Sequence, residues 1–370
     1  MNDEARELDR LVGEQTERQG EQSDVEYLRE LGSRASVGLD AARQQTRTYE
    51  RSLAQVVRAL ALTPGRNSVV QLVRLLDEHG PFGCSGADDR FVASLLAEAQ
   101  QPADLAELFY DRSERDRLDE VRACLFHELL LRGVDVSAPR GLSSWPVVRP
   151  SWHALSWLPS DLRPFETGSP FPSRSIRGGG GRSWSGLPSE GRLDPPTPRT
   201  GERAALTDIA TRELHERIVS APESGDVGHC AAWAFALDAP LDPALVPALV
   251  PSLPMGCVAG LGPTARFEIA LRSLDDIWKI LFSAASMDGS YGGGVHGAWG
   301  RRWTWQSLGG LSGAPSDASA QEVERWAKES TWFHFECDSE WFENEIYDYG
   351  IAALSPDRRR IAVLAVTDTD

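Results

Sequence analysis

The chain has 370 residues, 41% of them hydrophobic and 25% charged, a balance ordinary for a globular protein that excludes wholesale disorder. Its 55 acids against 38 bases leave a net charge of −17, which excludes a sequence-independent nucleic-acid binder, since those displace counterions with a basic surface. The same charge speaks against adhesion to anionic membranes and favours a basic protein partner.

A single core stops growing at about 250–300 residues, so two lobes or an elongated helical array are expected. Lys279 and Lys328 are the only lysines. With no Gly-Lys-Ser/Thr triplet, a Walker A phosphate loop is excluded. Cys84, Cys124, Cys230, Cys257 and Cys337 are odd in number and widely separated, without the close spacing of a zinc knuckle or a redox pair. They read as reduced, mostly buried thiols. The charged start Met1-Asn2-Asp3-Glu4 lacks the apolar core of a signal peptide. No run of about 18 apolar residues offers a transmembrane helix. The expectation is a cytoplasmic protein with no membrane or nucleic-acid partner and no cofactor.

Residues 1–138 read as a helical array. Ser23-Asp24-Val25-Glu26 has the form of a capping box ahead of Tyr27, Leu28 and Leu31. Leu53, Val56, Val57 and Leu60 recur at i, i+3, i+4 and i+7, the period of one helix face, and Pro64-Gly65 stops that helix. Further helices follow over Val69–Leu76, Phe91–Ala97 and Leu105–Tyr110, and a last one carries Leu118, Val121, Leu125 and Leu129 up to Gly133. Helices joined by short Pro/Gly turns suggest stacked α-hairpins, although no fixed repeat length is visible.

Residues 139–200 hold eleven of the 23 prolines and the run Gly178 to Gly181, a composition that resists regular structure. Trp145, Trp152, Trp157 and Phe165 predict an ordered loop over 139–167 packed on a helical surface, with a flexible linker over 168–200. Residues 201–370 then read as a second helical lobe. Its helices are expected over 202–219, over 228–237, over 264–286 as the longest of this half, and after the capping box at Ser319-Ala320-Gln321-Glu322. Pro240 to Pro254 allows short helical turns at most. In Trp332 to Asp338 the apolar and polar residues alternate, which predicts a strand. Ile351–Leu354 and Ile361–Val366, joined by Ser355-Pro356-Asp357-Arg358, predict a hairpin. The last strand is apolar enough to be covered on both faces. The expected fold is thus mainly α with a small α+β C-terminal region, whose sheet is a three-stranded antiparallel meander.

Two stretches are candidates for chemistry. Gly292-Gly293-Gly294-Val295-His296-Gly297 matches G-x-G-x-x-G, but a dinucleotide site needs a strand before the glycines and here a helix precedes them. The surrounding loop and helix carry Tyr291, His296, Trp299, Arg301, Arg302 and Trp303. Exposed arginines and tryptophans dominate binding hot spots, so these six residues are the candidate binding face. The second stretch is acidic, with Glu336, Asp338, Glu340, Glu343, Glu345 and Asp348 and no base among them. His334, Glu336 and Asp338 would share one strand face and are the candidate metal ligands. His127-Glu128 and His215-Glu216 lack the second histidine of a zinc-protease helix, and no nucleophile elbow surrounds any serine. Cys84 stands ahead of a helix start but brings no catalytic partner. No catalytic residue is assigned.

The stretch from Trp278 through Gly297-Ala298-Trp299-Gly300-Arg301 to the closing Ile361–Asp370 resembles an uncharacterised family of high-GC filamentous bacteria, a domain of unknown function. That resemblance implies no activity. The leading expectation is a non-enzymatic protein-binding or regulatory module of the immunity type. The alternatives are a metal-dependent hydrolase built on the acidic strand and a small-molecule sensor at the 288–305 loop.

Overall fold

In the computed structural model the chain divides into two compact units, Met1–Ser156 with Pro172–Gly181, and Trp157–Phe171 with Arg182–Asp370. The structure describes residues 3–17, 24–41, 46–80, 82, 87–109, 117–138, 140–172, 192–193, 206–226, 228–262, 265–286, 295–342 and 348–367.

The first unit consists of helices α1 (Asp3–Glu17), α2 (Val25–Ala41), α3 (Thr46–Leu62), α4 (Arg66–His79), α5 (Asp89–Ala99), α6 (Pro102–Leu105), α7 (Asp119–Leu131) and α8 (Arg140–Val148). Its packing is that of a two-layered array. α1 lies on α3, α3 on α5 and α5 on α7, while α2 lies on α4 and α4 on α6. The expected stripe Leu53, Val56, Val57 and Leu60 is fully buried, because each apolar face must find cover in the next helix of its layer. The α2 cap is made by Asp24, whose carboxylate accepts from the N–H groups of Glu26 and Tyr27, both at 3.1 Å. Ser23, the other residue of that signature, lies outside the described residues. The Pro/Trp segment, expected as a loop over 139–167, instead begins as helix α8 with Pro146 inside it, and most of the linker expected over 168–200 lies outside the described residues. Trp145 is buried on α8, edge-on to Phe109 at 5.4 Å, whereas Trp152 is 74% exposed.

The second unit is built on a sheet. Its strands are β1 (Arg192–Leu193), β2 (Leu206–Asp208), β3 (His229–Leu237), β4 (Phe267–Arg272), β5 (Thr331–Cys337), β6 (Tyr349–Leu354) and β7 (Arg360–Thr367). They are ordered β1-β4-β5-β6-β7-β3-β2, with every neighbouring pair antiparallel. The three expected strands are the central β5-β6-β7, and they do pair as a meander. The sheet is nevertheless wider than a three-stranded meander, because β4 extends it on one side and β3 on the other.

Both added strands lie where helices were expected. In His229–Leu237 the alanines supply helix propensity, yet Trp233, Phe235 and Leu237 project to one face and Ala232, Ala234 and Ala236 to the other. In 264–286 the expected single helix divides at Ser273, whose hydroxyl accepts from the N–H of Asp276 at 3.2 Å. Only Leu274–Ser286 (α12, counted after α9 to α11 below) is helical, and Phe267–Arg272 is strand β4. The segment 202–219 likewise splits into β2 and the helix α9 (Arg212–Ile218), which is followed by α10 (Ser220–Ser224).

The two sheet faces are covered differently. Phe235, Phe333, Phe335, Val363 and their neighbours meet Val246, Val250, Met255 and Val258, carried by the Pro-punctuated stretch around α11 (Val246–Leu249). The other face is covered by α12 and by α13 (His296–Ser312), which packs in turn on α9, α10 and α14 (Ala320–Glu329). Every residue of β6 and all of β7 after Arg360 are buried, as the apolar run required. The Ser319–Glu322 capping box forms as expected. Among the described residues no helix is long and apolar enough to cross a membrane.

One contact sets how closely the helices approach. Gly225 ends α10 at φ −89°, a conformation any residue adopts, but a Cβ there would lie 1.7 Å from the carbonyl oxygen of Ala284 on α12. Gly225→Ala is therefore expected to destabilise this unit by at least about 1–3 kcal/mol, the range for overpacking. A urea midpoint unchanged from the parent chain would contradict this close approach.

Candidate functional site

The candidate binding face lies on α13, and its residues part company in the structure. Tyr291 falls outside the described residues. His296 opens the helix with φ 62° and is half-buried. Trp299 and Trp303, one turn apart, tilt together with ring centres 5.7 Å apart.

Arg301 is not on a surface at all. It is fully buried, and its Nε and Nη2 donate to the two carboxylate oxygens of Glu166, each at 2.7 Å. Nη1 donates to the Pro159 carbonyl at 3.0 Å, and Nη2 also reaches the Asp161 carbonyl at 2.9 Å. Glu166 sits in a short turn, Pro164–Glu166, and additionally accepts from the Trp305 indole at 2.8 Å and the Arg163 N–H at 2.7 Å. Fully satisfied on both sides, this pair is structural rather than a site for a ligand.

Arg302, the next residue, is turned by about a hundred degrees around the helix and meets different surroundings. It faces a cleft of about 590 Å³ bounded by α9, α10, α13, the start of α14 and Trp157. The Arg302 guanidinium carbon lies 4.5 Å from the centre of the Trp157 ring. No carboxylate pairs with it among the described residues. Burial alone lowers its pKa to about 10, the mark of a cation held short of water without an anion in return. Trp303 supplies an aromatic wall, and Trp157 is held edge-on at 6.1 Å to Trp305, itself fully buried, with the Trp157 indole N–H donating to the Ala318 carbonyl at 3.3 Å.

The opposite wall is set by local chemistry. Thr211 caps α9 by accepting from the Leu214 N–H at 3.1 Å. Arg217 donates to the carbonyls of Ala314 and Pro315 at 3.1 and 3.3 Å, which ties α9 to the turn after α13. Ser220 donates to the Glu216 carbonyl at 2.8 Å and lies 3.3 Å from the side-chain oxygen of Gln306. Glu213, Glu216 and Glu223 stand exposed at the mouth. The cleft thus combines two partly buried arginines, the indole surfaces of Trp157 and Trp303, and an acidic rim. Trp157, Arg217 and Gln306 were missing from the sequence-based candidates. Proximity across segments so far apart leaves no local pattern.

The acidic strand does not assemble into a metal site where it is described. His334 lies mid-strand between Ala270 and Ile351, 1% exposed under the helical layer, with its pKa lowered to about 3, first by burial and then by Arg272. Glu336 is half-buried two residues on, opposite Glu268, and Arg266 lies 2.7 Å from Glu268 and 3.9 Å from Glu336. Asp338 is beyond the strand and exposed. Among the described residues no three His, Cys, Asp or Glu side chains gather closely enough to hold a metal ion. Glu343 and Glu345 lie outside them.

The described thiols are also poorly suited to attack. Burial raises the pKa of Cys230 to about 12 and that of Cys337 to about 11, and also lifts Cys124 and Cys257 well above the usual thiol range. Cys84 and the glycines 292–294 are outside the described residues, and the last described element before those glycines is a helix. A model described as a family of unknown function, DUF6183, matches residues 10–370. No curated protein and no solved structure matches the chain.

Proposed function

Because the chain belongs to DUF6183, a family of unknown function, we propose a function from the chemistry of its cleft: a non-enzymatic binding module that recognises a partner through Arg302 and the tryptophans around it. The observation that carries this reading is the Arg302 guanidinium, stacked on Trp157 and lacking an acid partner among the described residues. Desolvating a cation costs free energy, and a bound anion returns it. Stacked Arg–Trp pairs also anchor many interfaces. The cleft volume of about 590 Å³ lies within the range that receives a small molecule or one or two side chains. The net charge of −17 steers a basic partner towards the chain over longer distances. A cytoplasmic setting suits the four free thiols Cys124, Cys230, Cys257 and Cys337.

Capture from native lysate with three baits tests the proposal: the parent chain, Arg302→Glu, and Arg10→Glu as a surface control. Arg10 is 53% exposed on α1 and pairs with Glu7 and Glu14 of its own helix. One stoichiometric partner retained by the parent and the control, but reduced at least tenfold by Arg302→Glu, is the expected result. Equal retention by all three baits would remove the cleft from the binding surface.

A further inference from the structure

Resting on that cleft reading, we infer that the occupant is the free C-terminal carboxylate of a basic polypeptide whose last residue is aromatic. Four features of the cleft select this chemistry. The first is the one lining arginine without a hydrogen-bond acceptor among the described residues. Arg217 already spends its Nη groups on the Ala314 and Pro315 carbonyls, which leaves Arg302 to receive an anion, and a guanidinium fork suits a carboxylate.

The second is the acidic rim. Glu213, Glu216 and Glu223 surround the entrance, on a chain whose net charge is −17. A multiply charged anion such as a phosphate or a nucleic acid would meet repulsion on entry, whereas a single carboxylate preceded by arginine or lysine meets attraction. The third is the indole surface. Trp157 and Trp303 line the same cleft as Arg302, so a carboxylate and a flat apolar group must arrive within a few ångströms of each other. A C-terminal aromatic residue carries both on one Cα. The fourth is size. At about 590 Å³ the cleft accommodates a chain end, which needs one way out, more readily than an internal acidic residue, which needs two.

Titration of the full chain with acetyl-Arg-Arg-Phe tests the inference. The peptide is offered as the free acid and as the C-terminal amide, with quenching of the chain's tryptophan fluorescence as the signal. The free acid is expected to saturate the signal and to bind at least tenfold more tightly than the amide. Arg302→Gln should bring the two to within about twofold of each other, and Arg302→Lys should retain an intermediate preference, each variant still unfolding in a single cooperative urea transition. Equal binding of acid and amide by the parent, or a tenfold preference surviving in Arg302→Gln, overturns the inference. Phenylacetate separates this failure from failure of the cleft reading. If phenylacetate binds through Arg302 while neither peptide does, the cleft stands as a binding site and the polypeptide occupant is wrong. If neither peptide nor phenylacetate changes the signal, both fall together.

Discussion

Arg301→Met is expected to lower the stability of the sheet-containing unit by about 3–5 kcal/mol, the cost of leaving one partner of a buried ion pair behind. Glu166 would remain fully buried with its charge uncompensated, holding only the Trp305 indole and the Arg163 N–H. The carbonyls of Pro159 and Asp161 would lose their donor as well. The double variant Arg301→Met/Glu166→Leu removes both charges and should regain part of the loss. It should not regain all of it, because Trp305 and Arg163 then lack an acceptor. The neighbouring Arg302→Met is the informative contrast. It gives up one cation–π contact and no ion pair described in the structure, a loss of about 0.5–2 kcal/mol. Urea denaturation followed by tryptophan fluorescence checks all three. A cost below about 1 kcal/mol for Arg301→Met would show that the pair does not hold this unit together.

The second large effect is on pH dependence. Folded His334 titrates near 3, against 6.5 for an exposed histidine. Burial disfavours its cation, and Arg272 adds to this while Asp276 opposes it. Between those two values the unfolded chain binds a proton that the folded chain excludes. The contribution is therefore complete above about pH 6.5 and declines as pH falls towards 3, with a limiting slope of about 1.4 kcal/mol per pH unit. Carboxylates titrate in the same window, so the diagnostic quantity is the difference between the parent chain and His334→Leu. At pH 7.5 the variant is expected to match or exceed the parent, since neither ring nitrogen has a hydrogen-bond partner among the described residues and leucine leaves no polar atom stranded. At pH 5 it should be more stable than the parent by about 1–2 kcal/mol. Stability curves that stay parallel from pH 7.5 to pH 5 would show that His334 is not held neutral by burial.

These two residues also show how far the candidate site was legible. His334 was singled out for sharing a period-two face with Glu336 and Asp338. The period holds, but a shared face says nothing about depth, and burial of His334 beside the surface position of Asp338 separates them. Arg301 and Arg302 are adjacent and chemically identical in the sequence. Only the rotation of α13 against its neighbours makes the first a buried strut and the second the cation of a cleft. Two arginines and three indoles on one helix mark it as interesting without saying which way each faces, because tryptophan is as much at home in a core as in an interface.

The sequence by itself determined the elements whose signals are local. It placed α2 to α5 and α7 of the first unit, the Ser319 capping box and the β5-β6-β7 meander, since hydrophobic period, capping side chains and turn residues act over a few positions. Only the tertiary structure decided that Ala-rich β3 and the first part of 264–286 are strands. Their alternation is masked by small or ambiguous side chains, and an antiparallel neighbour outweighs intrinsic helix propensity. It alone also brought Trp157 over Arg302 and Glu166 to Arg301. Charge and aromatic chemistry take their meaning from what lies within a few ångströms, and those neighbours come from segments more than a hundred residues apart.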